Sequence, residues 1–185
     1  MGQRRVQLVI LCEDRQQEVF ARHFLENRGF KGLFRANICP KGSQSGEQYV
    51  RDQYPREVQA YRKNKNRVSI GLVVVIDADN RELQERLDQL EEELGNNDEK
   101  SRQTGEAIAI FIPKRNIETW IHYLEGESVD ENSEYPKYTK NESACKPYVE
   151  QLVEQCNSQT LPNTAPNSLQ SACGELQRLL PLIAQ

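Results

Sequence analysis

The chain has 185 residues, 28% of them charged, and a formal net charge of −4. That length suits one domain able to bury a core. No apolar run approaches the roughly 20 residues a membrane-spanning helix needs, so no membrane partner is expected. Net acidity argues against a protein that coats DNA non-specifically. The charge is uneven, however: residues 1–67 carry 14 Lys/Arg against 7 Asp/Glu, and residues 68–185 carry 10 against 21. A basic face on the first part can still hold a phosphate backbone locally. Cations that simply solvate helix faces are the equal alternative.

The opening "MGQRRVQLVILCED" has two arginines and a short apolar run that ends in acids. With no small-residue cleavage site it reads as a first strand, not a signal peptide. Gly2 lacks the Ser or Thr that myristoylation prefers at the sixth position. The five cysteines, Cys12, Cys39, Cys145, Cys156 and Cys173, are odd in number and include no CxxC. Neither a zinc site nor a disulfide framework is expected, and reduced thiols in a cytoplasm are the plain expectation.

"RVQLVILC" (5–12) reads as the first strand and "RQQEVFARHFLENRG" (15–29) as a helix, with Phe20 and Phe24 on one face and Gly29 at the C-cap. "KGLFRANIC" (31–39) is a second strand, followed by the turn-forming loop "PKGSQSG" (40–46). "EQYVRDQYPREVQAYRKNKN" (47–66) is helical, and Pro55 should kink or split it. "VSIGLVVVID" (68–77) is an unbroken, β-branched apolar run, which implies a central strand covered on both faces in a parallel sheet.

"NRELQERLDQLEEELG" (80–95) follows as a helix with the stripe Leu83, Leu87, Leu90 and Leu94, closed by Gly95. "EAIAIFIP" (106–113) is a fourth strand and "NIETWIHYLEG" (116–126) a short helix. Residues 127–143 are polar and loop-like, and "ACKPYVEQLVEQC" and "NSLQSACGELQRLLPLIA" form two last helices. The βαβαβαβα order predicts an α/β fold: an open, mostly parallel four-stranded sheet flanked by helices, with extra C-terminal helices. Residues 1–126 are expected to form the α/β domain, and residues 127–185 to pack on that same domain.

Ligands of such sheets bind beyond the carboxyl ends of the strands. Those ends hold Glu13 and Asp14, then Asp77 and Asp79, then Lys114, Arg115 and Glu118. Converging carboxylates resist ionising together. Mg²⁺ or Mn²⁺, which favour hard oxygen ligands, would relieve that repulsion. In an extended chain Asp77 and Asp79 point to one side, with small Ala78 between them. Asp79 could instead cap the helix that begins near Asn80. Lys41 lies in a loop whose glycines and serines could present N–H groups to phosphate. Lys114 and Arg115 could bind phosphate or pair with the site acids. His23 and His122 have no metal spacing, and Trp120 reads as core before it reads as a base-stacking platform.

Taken together, Glu13 in "LCEDRQQEVF", Asp77 and Asp79 in "VIDADN", and "IPKRNIETWI" resemble the Toprim domain. The likeness spans residues 5–125 and is greatest to small stand-alone OLD- and RloB-type Toprim nucleases. It implies a Mg²⁺- or Mn²⁺-dependent nuclease hydrolysing phosphodiesters of DNA or RNA. Glu13 would be the catalytic glutamate, Asp77 and Asp79 the metal-binding pair, and Glu118 a further acidic site residue. The resemblance also implies a phage-defence setting beside a separately encoded ATPase, and it allows a homo-oligomer. Toprim proteins usually have Gly after the first-strand glutamate; here Asp14 stands there and becomes a further candidate ligand. Two alternatives stay open. One is a receiver-like phosphoaspartyl domain using Glu13, Asp14, Asp77 and Lys114. The other is a non-catalytic regulatory subunit that docks through residues 127–143 and the terminal helices.

Overall fold

Four short apolar segments and six longer amphipathic ones become the strands and helices of the computed structural model, which describes residues 5–184. Gly2, and the lipidation question attached to it, lie outside those residues. In chain order the elements are β1 (Val6–Cys12), α1 (Arg15–Arg28), β2 (Gly32–Ile38), α2 (Gly46–Asn64) and β3 (Ile70–Val75). They continue with α3 (Leu83–Asn96), β4 (Ile108–Phe111), α4 (Ile117–Leu124), α5 (Lys146–Ser158) and α6 (Asn167–Leu176). The sheet order is β2-β1-β3-β4 and every pairing is parallel. The expected α/β architecture is therefore present, with a sheet that is wholly parallel.

Burial explains which strands lie inside. β3 is buried along nearly its whole length, and β1 likewise, whereas β2 alternates between exposed and half-buried positions at the sheet edge. Parallel strands need helical crossovers, and those helices cover the sheet. α1 packs on β1 and on α5; α2 packs on β1, β3 and α3; α6 packs on β4. Phe24 meets Phe111 edge-on with ring centroids 5.9 Å apart, and Phe20 lies 5.7 Å from Trp120. The Trp120 indole N–H donates to Ser168 Oγ at 2.8 Å, so this ring is core and ties α4 to α6. No helix among the described residues is long and apolar enough to cross a membrane.

Three local expectations are corrected. α2 runs unbroken through Pro55, which is itself buried. A mid-helix proline removes one N–H and strains one turn. Here Val50, Tyr54, Val58 and Tyr61 bury around it and keep the helix seated. α3 begins at Leu83, not near Asn80, and Gly95 lies inside it while the chain exits at Asn97. Asp79 therefore does not cap α3; the start is held by Glu82, whose N–H donates to Glu85 Oε2 at 2.8 Å. Finally, Cys156 and Cys173 form a disulfide between α5 and α6, with Cα atoms 5.4 Å apart. Their spacing of 17 residues carried no signal, because only the packing of the two helices brings them together. Cys12, Cys39 and Cys145 are free.

One buried ion pair joins the end of α2 to the segment leading into β4. Glu106, 4% exposed, accepts from Arg62 Nε at 2.8 Å and from Arg62 Nη2 at 2.9 Å. Burial alone would raise the Glu106 pKa, but Arg62 and the Gln103 N–H outweigh it and hold it below the usual value of 4.5. A lowered carboxylate contributes stability above its unfolded pKa and loses it as pH falls through the folded one. Glu106→Gln should therefore cost about 2 kcal/mol at neutral pH, since it weakens a charge-assisted bond. It should also lessen the loss of stability below about pH 4.5. Urea titrations of both proteins at neutral and acidic pH measure this.

Candidate functional site

β1 ends at Cys12 and delivers two acids into a tight turn. Asp14 caps α1, its Oδ1 accepting from Gln17 N at 2.9 Å, and the Glu13 N–H donates to Gln17 Oε1 at 2.9 Å. β3 passes its last residues into a segment that stays zipped to the chain beyond β4. Ile76 N donates to Phe111 O at 3.1 Å, Ala78 N to Pro113 O at 2.9 Å and Asp79 N to Arg115 O at 3.1 Å. The two strand ends are then joined directly, because Glu13 Oε1 accepts from the Asp77 N–H at 2.6 Å. Glu118 enters from the first turn of α4 and is 1% exposed.

The acids of the D-x-D have different surroundings. The extended backbone that would align them stops at Asp79, whose φ is +54°. Asp77 is 8% exposed and its Oδ1 has no hydrogen-bond partner. Asp79 is half exposed and its Oδ2 pairs with Arg86 Nη2 at 3.1 Å. Glu118 resembles Asp77 in having a buried, unpartnered oxygen, Oε1.

The predicted cations are placed less centrally. Lys114 is buried, but its Nζ donates to Glu82. Arg115 pairs with Glu134 at 2.8 Å and with Asn80. Lys114 thus meets an acid away from the strand ends, whereas Arg115 also lends its charge to Asp79. Lys41 stands exposed in the loop before α2. That loop touches the site through another residue: a Cβ on Gly46 would lie 2.6 Å from the Glu13 Cβ and 2.8 Å from its Oε2. Only glycine lets the start of α2 approach Glu13 so closely.

Two cations at the site escaped sequence reasoning. Arg86 of α3 is almost fully buried beside Asp79. Lys137, from the polar segment after α4, places Nζ 3.7 Å from Asp14 Oδ2. Burial would lower Lys137, and Asp14, Glu118, Asp77 and Glu13 together outweigh it and hold its pKa above the usual value. Its neighbours dock the segment: the rings of Tyr135 and Tyr138 lie 5.0 and 5.3 Å from that of His122, and Tyr138 Oη donates to Glu125 Oε2 at 2.8 Å. A lysine in "SEYPKYTK" has no motif to mark it. The tyrosines on either side were the one local sign that this polar stretch would be held in place.

The carboxyl groups feel their burial. Burial pushes Glu13 up to about 8; the Asp77 N–H and the Arg86 charge partly offset this, while Asp79 and Asp14 add to it. Asp77 is raised well above the carboxylate range by burial, then by Glu13, Asp14, Glu118 and Asp79. Glu118 is pushed to about 7, chiefly by burial, with Asp14 adding to it. Buried, unpartnered carboxylate oxygens need a proton or a cation. A hard divalent ion would suit an all-oxygen donor set of this kind, and Asp77, Glu13 and Glu118 are the residues that would hold it. Among the described residues, the one group of three with ligand atoms all within 4.8 Å of one another lies elsewhere, at His122, Glu125 and Glu127. In that group His122 Nδ1 lies 3.1 Å from Glu127 and 3.7 Å from Glu125 and has no hydrogen-bond partner. No three of the strand-end acids meet that distance.

Because Glu13 and Glu118 titrate near 8 and 7 instead of 4.5, the stability they allow is present below pH 4.5 and lost as pH rises through those values. The metal-free protein should melt several degrees lower at about pH 8 than at about pH 5.5. Glu13→Gln should flatten that slope, and added Mg²⁺ should raise the melting temperature more at the higher pH. Differential scanning fluorimetry across pH, with and without Mg²⁺, reads all three effects.

Comparison with protein-family models, with curated proteins and with solved structures finds no match to this chain.

Proposed function

We propose that this chain is a Toprim-like phosphodiesterase that cleaves DNA or RNA with Mg²⁺ or Mn²⁺. The observation that carries this is the pair of buried carboxyls with unpartnered oxygens, Asp77 after β3 and Glu118 at the start of α4, beside the half-buried Glu13 at the end of β1. Such a group is unfavourable for a fold and useful for binding a hard cation. Asp77, Glu13 and Glu118 would hold the ion, with Asp14 beside them. Bound there, it would supply Lewis acidity to a phosphoryl oxygen and to a water.

The rest of the chemistry belongs to the chain. Glu13 is fixed at Oε1 by the Asp77 N–H, which would orient its carboxylate toward the ion and an attacking water. Lys137 stands at the edge of the acids and would take the substrate phosphate and offset charge developing on it. It replaces Lys114 and Arg115 in that role, since Glu82 and Glu134 already neutralise them. Lys41, exposed on the rim, would meet the nucleic acid backbone further out. The chain has no G-x-x-x-x-G-K-[ST] motif, so any ATP-driven step would come from a separate ATPase. The pairing of Lys114 with Glu82 weighs against a receiver-like domain, which would need that lysine beside Asp77.

Asp77→Ala and Glu118→Gln should each reduce Mg²⁺- or Mn²⁺-dependent cleavage of labelled DNA or RNA at least about 100-fold. Lys137→Ala should lower kcat about 10- to 100-fold with partial rescue by Lys137→Arg, while Lys114→Ala changes it less than about 3-fold. A wild-type protein inert on single- and double-stranded DNA and RNA with either metal would instead indicate a non-catalytic subunit.

A further inference from the structure

Arg86 is the least expected residue at this site. Its side chain is 2% exposed, its two Nη groups are hydrogen-bonded, and its buried Nε has no partner. Nη1 donates to Glu47 Oε2 and to Gln89 Oε1, each at 2.8 Å. Nη2 donates to Asp79 Oδ2 at 3.1 Å and to Ala78 O at 3.4 Å. Arg86 therefore clamps the second acid of the D-x-D to the first turn of α2. Glu47 is also braced by Arg51 Nε at 2.9 Å, which makes the clamp part of a wider ionic network.

The opposite half of the centre has nothing equivalent. Asp77 and Glu118 are each more than nine-tenths buried, and each has one oxygen without a hydrogen-bond partner. The lysine nearest them, Lys137, makes its ion pair with Asp14. One half of the acidic group thus holds a buried, hydrogen-bonded guanidinium, while the other half has only Lys137, which pairs with Asp14 and leaves one oxygen each of Asp77 and Glu118 without a hydrogen-bond partner. The guanidinium therefore sets positive charge directly against Asp79. A divalent ion bound to Asp79 would lie against that guanidinium and be repelled by it.

We propose that Arg86 takes the place a second divalent ion would have, so that the protein binds one ion, on Asp77, Glu13 and Glu118, and keeps Asp79 as the counter-ion of Arg86. This rests on the metal-dependent function proposed above. It assigns Arg86 a positioning role, acting through Asp79 and the charge of the site.

Mn²⁺ binding to the full chain without substrate tests it, followed by electron paramagnetic resonance of the free ion, with circular dichroism to confirm folding. The wild-type should bind one Mn²⁺ per chain. Asp79→Asn should keep that stoichiometry, with affinity within about 3-fold, whereas Asp77→Asn should weaken it at least about 30-fold. Arg86→Gln, where folded, should gain a second, weaker Mn²⁺. Two ions on the wild-type, equal losses in Asp79→Asn and Asp77→Asn, or a folded Arg86→Gln that still binds one ion would each overturn the assignment. Should Arg86→Gln fail to fold, the contrast between the two aspartate variants decides. A wild-type that binds no Mn²⁺ overturns the metal-dependent function itself, and this assignment with it.

Discussion

A single hydrogen bond organises the carboxyl edge of this sheet. Glu13 leaves β1 and accepts the backbone N–H of Asp77, the residue with which β3 leaves the sheet. The bond crosses between the two central strands just past the last residue pair of their ladder. It uses one lone pair of a carboxylate that also feels the charges of Asp79 and Asp14, offset in part by Arg86. Without a donor there, Glu13 would be one more buried acid lacking a partner. With it, the acids are held at a defined place and their repulsion is borne by the most buried part of the fold.

That arrangement explains how positive charge is distributed around the edge. Arg86 compensates one flank through Asp79 and Glu47. Lys137 compensates the other through Asp14, and the segment bearing it is pinned to α4 by Tyr135, Tyr138 and His122. Lys114 and Arg115, adjacent in sequence to the site, are diverted to Glu82 and Glu134. Between the flanks lie Asp77 and Glu118, each with an unpartnered oxygen. The uncompensated charge is confined to the place where a hard cation would be most strongly bound, which is the physical basis of the proposed metal-dependent chemistry.

Half-buried Arg62 and buried Arg86 hold acids in different ways. Arg62 ties α2 to the start of β4 far from the acids, and its partner Glu106 is held in the charged form. Arg86 meets Asp79, yet burial still raises the Asp79 pKa in spite of the guanidinium. The first pair is a structural link with its charges balanced. The second is part of a group of acids that outnumber their counter-charges, as expected of a binding site.

The strand and helix order, the central place of Ile70–Val75 and the delivery of Glu13, Asp77 and Glu118 to one edge were all legible in the sequence, because hydrophobic period and strand-end position are local properties. Pro55 misled because a local rule against mid-helix proline was outweighed by burial of the residues around it. Asp79 misled because its alignment with Asp77 assumed an extended chain, and the backbone turns left-handed there. Tertiary structure alone decided which cations meet which acids. Arg86 and Lys137 lie 7 and 123 residues from the acids they contact, and a long side chain can reach any neighbour that folding supplies. The Cys156–Cys173 link has the same origin in helix packing. Periodicity thus determined where the acids would be, and only the packing of side chains from distant elements decided which of them were left without a counter-charge.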